Sequence, residues 1–287
     1  MWPSLTPCRV GTGTLRLRGQ FPGRRADDLV GKVATSPEAV LHRLGNDLDE
    51  ELGAELLSLS VHGSWVAGDF KLGRSDLDLL AVLAHDPDAR VLGRLTAVHA
   101  EIAAWAPEWH DHVEADYVSR DAVVDILAGD GPEHPMVRIS PGEPIHLLPA
   151  HRHYLLTWRA ARDHDHRIVG RSPVEVIPPI PDDVVRDVVV EHAREWPAWV
   201  EGARSPGFQA YAVLTMCRVL AFLRTGQQLS KHRAALSERE LMPEWRELIG
   251  WADDWWYRDG SDQTPPRTSG VTTFVLTASR LVGEKYG

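Results

Sequence analysis

The sequence predicts an α+β fold in two parts, an N-terminal domain built on a small sheet and a C-terminal α-helical bundle domain. Three observations carry that expectation. Two alternating apolar runs flank a glycine-bearing turn in "LLSLSVHGSWVAGDFKLGRSDLDLLAVL", residues 56–83. A third alternating run, "HVEADYV", follows at 112–118, and from Ala150 onward the apolar residues recur at helical rather than strand spacing.

Residues 1–35 carry five Arg and one Lys against two Asp, in a Gly- and Thr-rich setting without periodicity. They read as a flexible leader. Ser36 then offers a helix cap with Pro37 at the first turn. Val40, Leu41, Leu44, Leu48 and Leu52 form one apolar face to about residue 54. Leu57, Leu59 and Val61 alternate with Ser58, Ser60 and His62, the period-two pattern of a half-buried strand. Gly63-Ser64 ends it, residues 65–75 connect, and a second strand runs from about Asp76 to Leu83. Asp86-Pro87 opens a second helix, with Leu92, Leu95, Val98, Ile102 and Trp105 on one face. The third strand comes next. The stretch "GDGPEHPMVRISPGEPIHLLP", with its prolines, reads as the edge of the first domain, which therefore spans 36–149.

Residues 150–287 then supply five helical segments: "AHRHYLLTWRAARDH", "PDDVVRDVVVEHAREWPAWVEGA", "FQAYAVLTMCRVLAFLRTG", "SKHRAALSERELMPEWRELIGWADDWW" and "TTFVLTASRLVGEKYG". Gly- and Pro-bearing turns separate them. No fixed-period repeat argues for a solenoid.

The bulk numbers exclude several classes. A net charge of −10 repels an extended polyanion, so no nucleic-acid partner is expected, while a nucleotide carried with a metal remains compatible. Two distant cysteines, Cys8 and Cys217, support neither a disulfide framework nor a C-x-x-C metal site. With no membrane span and no secretory signal in evidence, the expectation is a cytoplasmic monomer without a membrane partner.

The chemistry lies in the strands. A carboxylate inside a β-segment must be justified by a partner, because desolvation penalises it. Side chains two apart on a strand share a face, so Asp76 and Asp78 form a pair about 7 Å apart along the strand. Such a pair suits Mg²⁺, which keeps waters and takes further oxygens from phosphates. Glu114 and Asp116 repeat the pattern on the third strand, and one of them completes a three-carboxylate cluster if the strands are neighbours. Cations must relieve that cluster. Gly63-Ser64 supplies close backbone approach and a hydroxyl for phosphate, so phosphoryl-type transfer is the chemistry served.

Together, Gly63-Ser64 and Asp76-x-Asp78 resemble the G-S…D-x-D signature of the DNA polymerase β-like nucleotidyltransferase superfamily. The helical half, through "LLTWRAARDH…VGRSP" and "VLTMCRVLAFLRTGQQLSK", is similar to the aminoglycoside adenylyltransferases that modify streptomycin and spectinomycin. The resemblance covers roughly residues 36–285. It implies a polymerase-β-like nucleotidyltransferase domain followed by the bundle, with the active site in a cleft between them. It implies transfer of AMP from ATP to a hydroxyl of an aminoglycoside or similar small polar molecule, with two Mg²⁺ ions and release of pyrophosphate.

By position, the resemblance implies metal-binding roles for Asp76 and Asp78 and a general-base role for Glu114. Ser64 and Ser75 match phosphate-side contacts beside Gly63. Arg218 and Lys231 match a basic pair at the triphosphate, and Tyr257 an aromatic near the nucleotide. Trp199 matches a tryptophan of the drug pocket. The acidic residues that should follow Trp199 are replaced by Arg204 and Phe208, which removes charge complementarity for a polycation. Two rival readings remain open: transfer to a protein or an RNA end, and a non-catalytic nucleotide-binding member of the fold.

Overall fold

The computed structural model of the chain describes residues 35–129, 131–258, 260–261, 263 and 265–287. The expected leader thus lies outside the described residues. Two compact units divide between Val185 and Arg186.

In the first unit, α1 (Pro37–Leu52) starts where Ser36 Oγ accepts the Ala39 amide at 3.2 Å. β1 (Leu56–His62) leads through the short α2 (Gly63–Ala67) to β2 (Leu77–Leu83). The two strands pair antiparallel. α3 (Ala89–Trp105) crosses over to β3 (Val113–Ser119), which runs parallel to β2. A helical crossover between parallel neighbours is what the chain's handedness and length favour. α4 (Arg120–Ala128), β4 (Pro135–Ser140), β5 (Glu143–Pro149), α5 (Leu155–His164), β6 (Arg167–Gly170) and α6 (Pro173–Val176) complete the unit. The six strands lie in the order β5-β4-β3-β2-β1-β6.

One face of this sheet is the main core. Leu59, Val61, Leu77, Leu79, Ala81 and Val113 pack with Leu44 and Leu48 of α1 and Leu95 and Ile102 of α3. The alternate positions, Ser60, His62, Asp78, Leu80, Glu114 and Asp116, belong to the other face and are buried as well. Polar groups therefore line a covered face, where each needs a partner.

Several expectations are corrected here. The stretch 120–150 is not a domain edge: it holds α4 and the β4–β5 hairpin. Of its five prolines, Pro132 precedes β4 and Pro141 lies in the β4–β5 turn, Pro135 and Pro149 sit at strand ends, and Pro144 lies on edge strand β5, the positions where a missing amide donor costs least. The division expected at 149/150 falls at 185/186, because β6 returns to pair with β1. α3 begins at Ala89 rather than at Asp86-Pro87. Asp88 caps it, with Oδ1 accepting the Val91 amide at 2.9 Å, while Asp86 is occupied by the Ser119 hydroxyl and His134.

The second unit takes up within α7 (Asp182–Val200) and contains α8 (Pro206–Thr225), α9 (Lys231–Leu241), α10 (Arg246–Tyr257) and α11 (Thr268–Tyr286). The segment expected as one helix from Ser230 to Trp256 is two, broken at Met242-Pro243, since proline cannot continue the α9 ladder. α8 is long and apolar enough to cross a membrane by length and composition, but most of it is buried against α9, α10 and α11.

Candidate active site

β2 and β3 bring the acidic residues together. In their parallel register Asp78 stands opposite Glu114, and Leu80 opposite Asp116. Asp78, Glu114 and Asp116 are all buried. Asp76 lies one residue ahead of β2 rather than within it, and its side chain is partly exposed. His112 holds it in place, with Nδ1 3.0 Å from Asp76 Oδ1.

Gly63 marks the other wall. It adopts φ +66°, a conformation that side chains rarely take, and a Cβ there would lie 1.8 Å from Asp78 Oδ2. The turn and the carboxylate share one space, which only glycine leaves open. Ser64 follows in α2, and its carbonyl accepts the Asp69 amide at 3.1 Å. Ser75 is buried and its hydroxyl accepts the Lys71 amide at 3.0 Å, so it closes the loop that delivers Asp76.

Charge is crowded here. Burial, with Asp78, Asp116 and Asp76 nearby, pushes the Glu114 carboxyl up to about 8, against the pull of Arg138. Burial likewise raises Asp116, again opposed by Arg138. Arg138 on β4 is the cation of this face: Nη1 donates to Asp116 Oδ1 at 2.6 Å, Nη2 donates to Glu114 Oε1, and Nε donates to Ser140 Oγ at 3.0 Å. Beside Asp78 in the β1–β2 register stands His62, held down to about 3 chiefly by burial and therefore neutral. Its Nε2 is buried without a hydrogen-bond partner among the described residues.

These donors fit a hard divalent cation. They are carboxylate oxygens, they repel one another, and an added 2+ charge relieves that repulsion. Among the described residues, no three His, Cys, Asp or Glu side chains enclose an ion by themselves. A cation that completes its shell with water and phosphate oxygens does not require them to.

The second unit holds the other expected residues, of which Arg218, Lys231 and Tyr257 lie near the start of α9. Ser230 Oγ caps α9 by accepting the Arg233 amide at 3.2 Å. Arg218 of α8 is buried and its Nε donates to the Leu229 carbonyl at 3.1 Å. Lys231 Nζ lies 4.1 Å from the Trp256 ring centre and 5.1 Å from that of Tyr211. Tyr257 meets His232 edge to face at 5.2 Å, and His232 Nδ1 lies 2.8 Å from Asp253 Oδ1. Trp199 packs with Trp196 at 5.2 Å and His192 at 5.4 Å. Phe208 contacts Trp196 at 6.0 Å, and Arg204 is exposed.

His62, His112 and Arg138 were not singled out from the sequence. The two histidines carried a local signal, one immediately before Gly63 and the other two residues before Glu114. Arg138 carried none, because it reaches Glu114 only through the β3–β4 register, in which it stands opposite Asp116.

Comparison with known proteins extends this geometry. Residues 175–280 match the family model described as aminoglycoside adenylyltransferase, C-terminal domain. The fold matches the crystal structure of spectinomycin adenyltransferase AAD(9) from Enterococcus faecialis with ATP and spectinomycin. The TM-score is 0.69 at 17% identity, over 86% of this chain and 100% of that one. No curated protein matches the sequence. The expected α+β fold is borne out, and over residues 175–280 the chain is similar to the C-terminal domain of the aminoglycoside adenylyltransferases, in line with the resemblance drawn from the helical half.

Proposed function

We propose that the protein transfers AMP from ATP to a hydroxyl of an aminoglycoside or a similar small polar molecule. The acceptor oxygen attacks the α-phosphorus, forming a new P–O bond as the bond to the β-phosphate breaks, and pyrophosphate leaves. The observation that carries this reading is the opposition of Asp78 and Glu114 across β2 and β3, with Gly63 against the Asp78 carboxylate.

Asp76 and Asp78 would hold Mg²⁺, which when bound supplies charge neutralisation for the phosphates and the departing pyrophosphate. Glu114 accepts the proton of the acceptor hydroxyl. Gly63 lets the chain turn without obstructing the Asp78 carboxylate, and Ser64 adds a donor at the phosphates. Ser75 contributes by shaping the 71–75 loop. Arg218 and Lys231 serve the triphosphate and Tyr257 the nucleoside, while Trp199 belongs to the acceptor's pocket. The relative of known structure was crystallised with ATP and spectinomycin, which makes this pair the first to try.

The test is pyrophosphate release from ATP with Mg²⁺ across a panel of aminoglycosides and aminocyclitols. Acceptor-dependent release that Asp76→Asn with Asp78→Asn abolishes supports the reading. Release that survives the double substitution overturns it.

A further inference from the structure

Resting on the proposed reaction, we infer that Arg138 is a positioning residue, which fixes Glu114 for proton transfer and withdraws Asp116 from the acid chemistry. Sequence spacing leaves Glu114 and Asp116 equivalent, two residues apart on one strand face. Arg138 breaks that equivalence. It projects from β4 opposite Asp116, is itself only 4% exposed, and engages both carboxylates from one planar guanidinium.

Each guanidinium nitrogen has a protein partner: Asp116 on Nη1, Glu114 on Nη2 and Ser140 Oγ on Nε. The ring of Tyr154 covers the group, its centre 5.7 Å from Cζ. Such a fork has one orientation, unlike a lysine ammonium on a flexible stem. Because Nη2 takes Glu114 Oε1, the carboxylate plane is set and Oε2 is the oxygen left to receive a proton. Asp116 is the anchor at the far end. It sits two residues beyond the Asp78–Glu114 pair and is neutralised by Arg138.

A buried ion pair is weak evidence for stability, since desolvating two charges offsets most of their attraction. Holding a base in a productive geometry explains its presence better: a misplacement of about 1 Å costs on the order of 100-fold in rate.

The experiment compares parent, Arg138→Lys and Arg138→Met in ATP-to-pyrophosphate turnover, per folded enzyme counted by near-UV circular dichroism. Arg138→Met is expected to lower kcat by about 100-fold while KM for ATP stays within about threefold. Arg138→Lys, which keeps the charge and one contact, recovers about a tenth of the parent kcat. Should Arg138→Met fail to fold, Arg138→Lys carries the test, and lowered kcat at unchanged KM supports the inference. Parent-like kcat in a folded Arg138→Met, parent-like kcat in Arg138→Lys when it alone folds, or equal losses in Lys and Met variants overturn it. A parent without turnover on any acceptor overturns the reaction on which the inference rests, and is told apart by that.

Discussion

Gly63 and Asp78 occupy the same small space: a methyl group on the glycine Cα would stand 1.8 Å from Oδ2 of the aspartate. Neither residue can change independently. The glycine turns β1 into α2, and the aspartate needs the volume that the missing side chain leaves.

Gly63→Ala is therefore expected to separate activity from folding. The left-handed conformation at φ +66° costs an alanine about 1–2 kcal/mol, which an ordinary domain with about 5–15 kcal/mol of stability survives. The carboxylate of Asp78 cannot stay where it is, so transfer should fall by roughly 100-fold or more. A folded Gly63→Ala protein with turnover within threefold of the parent would sink this account.

The buried histidines make the first unit sensitive to acid. Burial holds His99 of α3 near 4, below its ordinary 6.5, and His99 Nε2 lies 2.6 Å from the Tyr117 hydroxyl. The unfolded chain therefore takes up this proton first. The stability linked to His99 is fully present above about pH 6.5 and is lost as the pH falls toward 4, with a ceiling near 1.4 kcal/mol per pH unit. Urea midpoints measured from pH 7 to 4.5 should fall steeply in the parent and less so in His99→Gln, which keeps a hydrogen-bonding side chain without the titration. Parallel pH curves for the two proteins would refute the assignment.

What the sequence revealed follows from the range of the forces involved. β1, β2 and β3 announce themselves because their core faces alternate locally, and α1 because Ser36, Pro37 and its apolar stripe act within a few residues. The acidic cluster is legible for the same reason, as paired spacing on two strands. β4 is masked by Pro135 at its start and by Arg138, a charge at a position the alternation would leave unassigned. β6 is four residues long, too short to show a period, and exists because β1 offers it an edge. The Arg138 fork depends on register between strands some twenty residues apart, which no local pattern encodes.

The return of β6 also makes a prediction about where the first unit can be cut. A fragment of residues 1–149 retains the acidic residues and five of the six strands, and matches the boundary that composition suggests. It loses β6, leaving β1 unpaired along one edge, and loses Tyr154, Leu155, Leu156 and Trp158, all but fully buried. Fully burying an aliphatic side chain contributes roughly 1.5–3 kcal/mol, so Leu155 and Leu156 with the larger Trp158 approach the whole stability of an average domain, about 5–15 kcal/mol. Cutting at Pro181 instead keeps β6 and α6 and removes only α7 onward. The fragment of residues 1–181 should unfold cooperatively in urea and run as a single species on size exclusion, whereas 1–149 should aggregate or show no cooperative transition. Equal midpoints for the two fragments would mean that α5 and β6 add nothing to the sheet, contrary to the burial of Trp158 and the β1–β6 pairing.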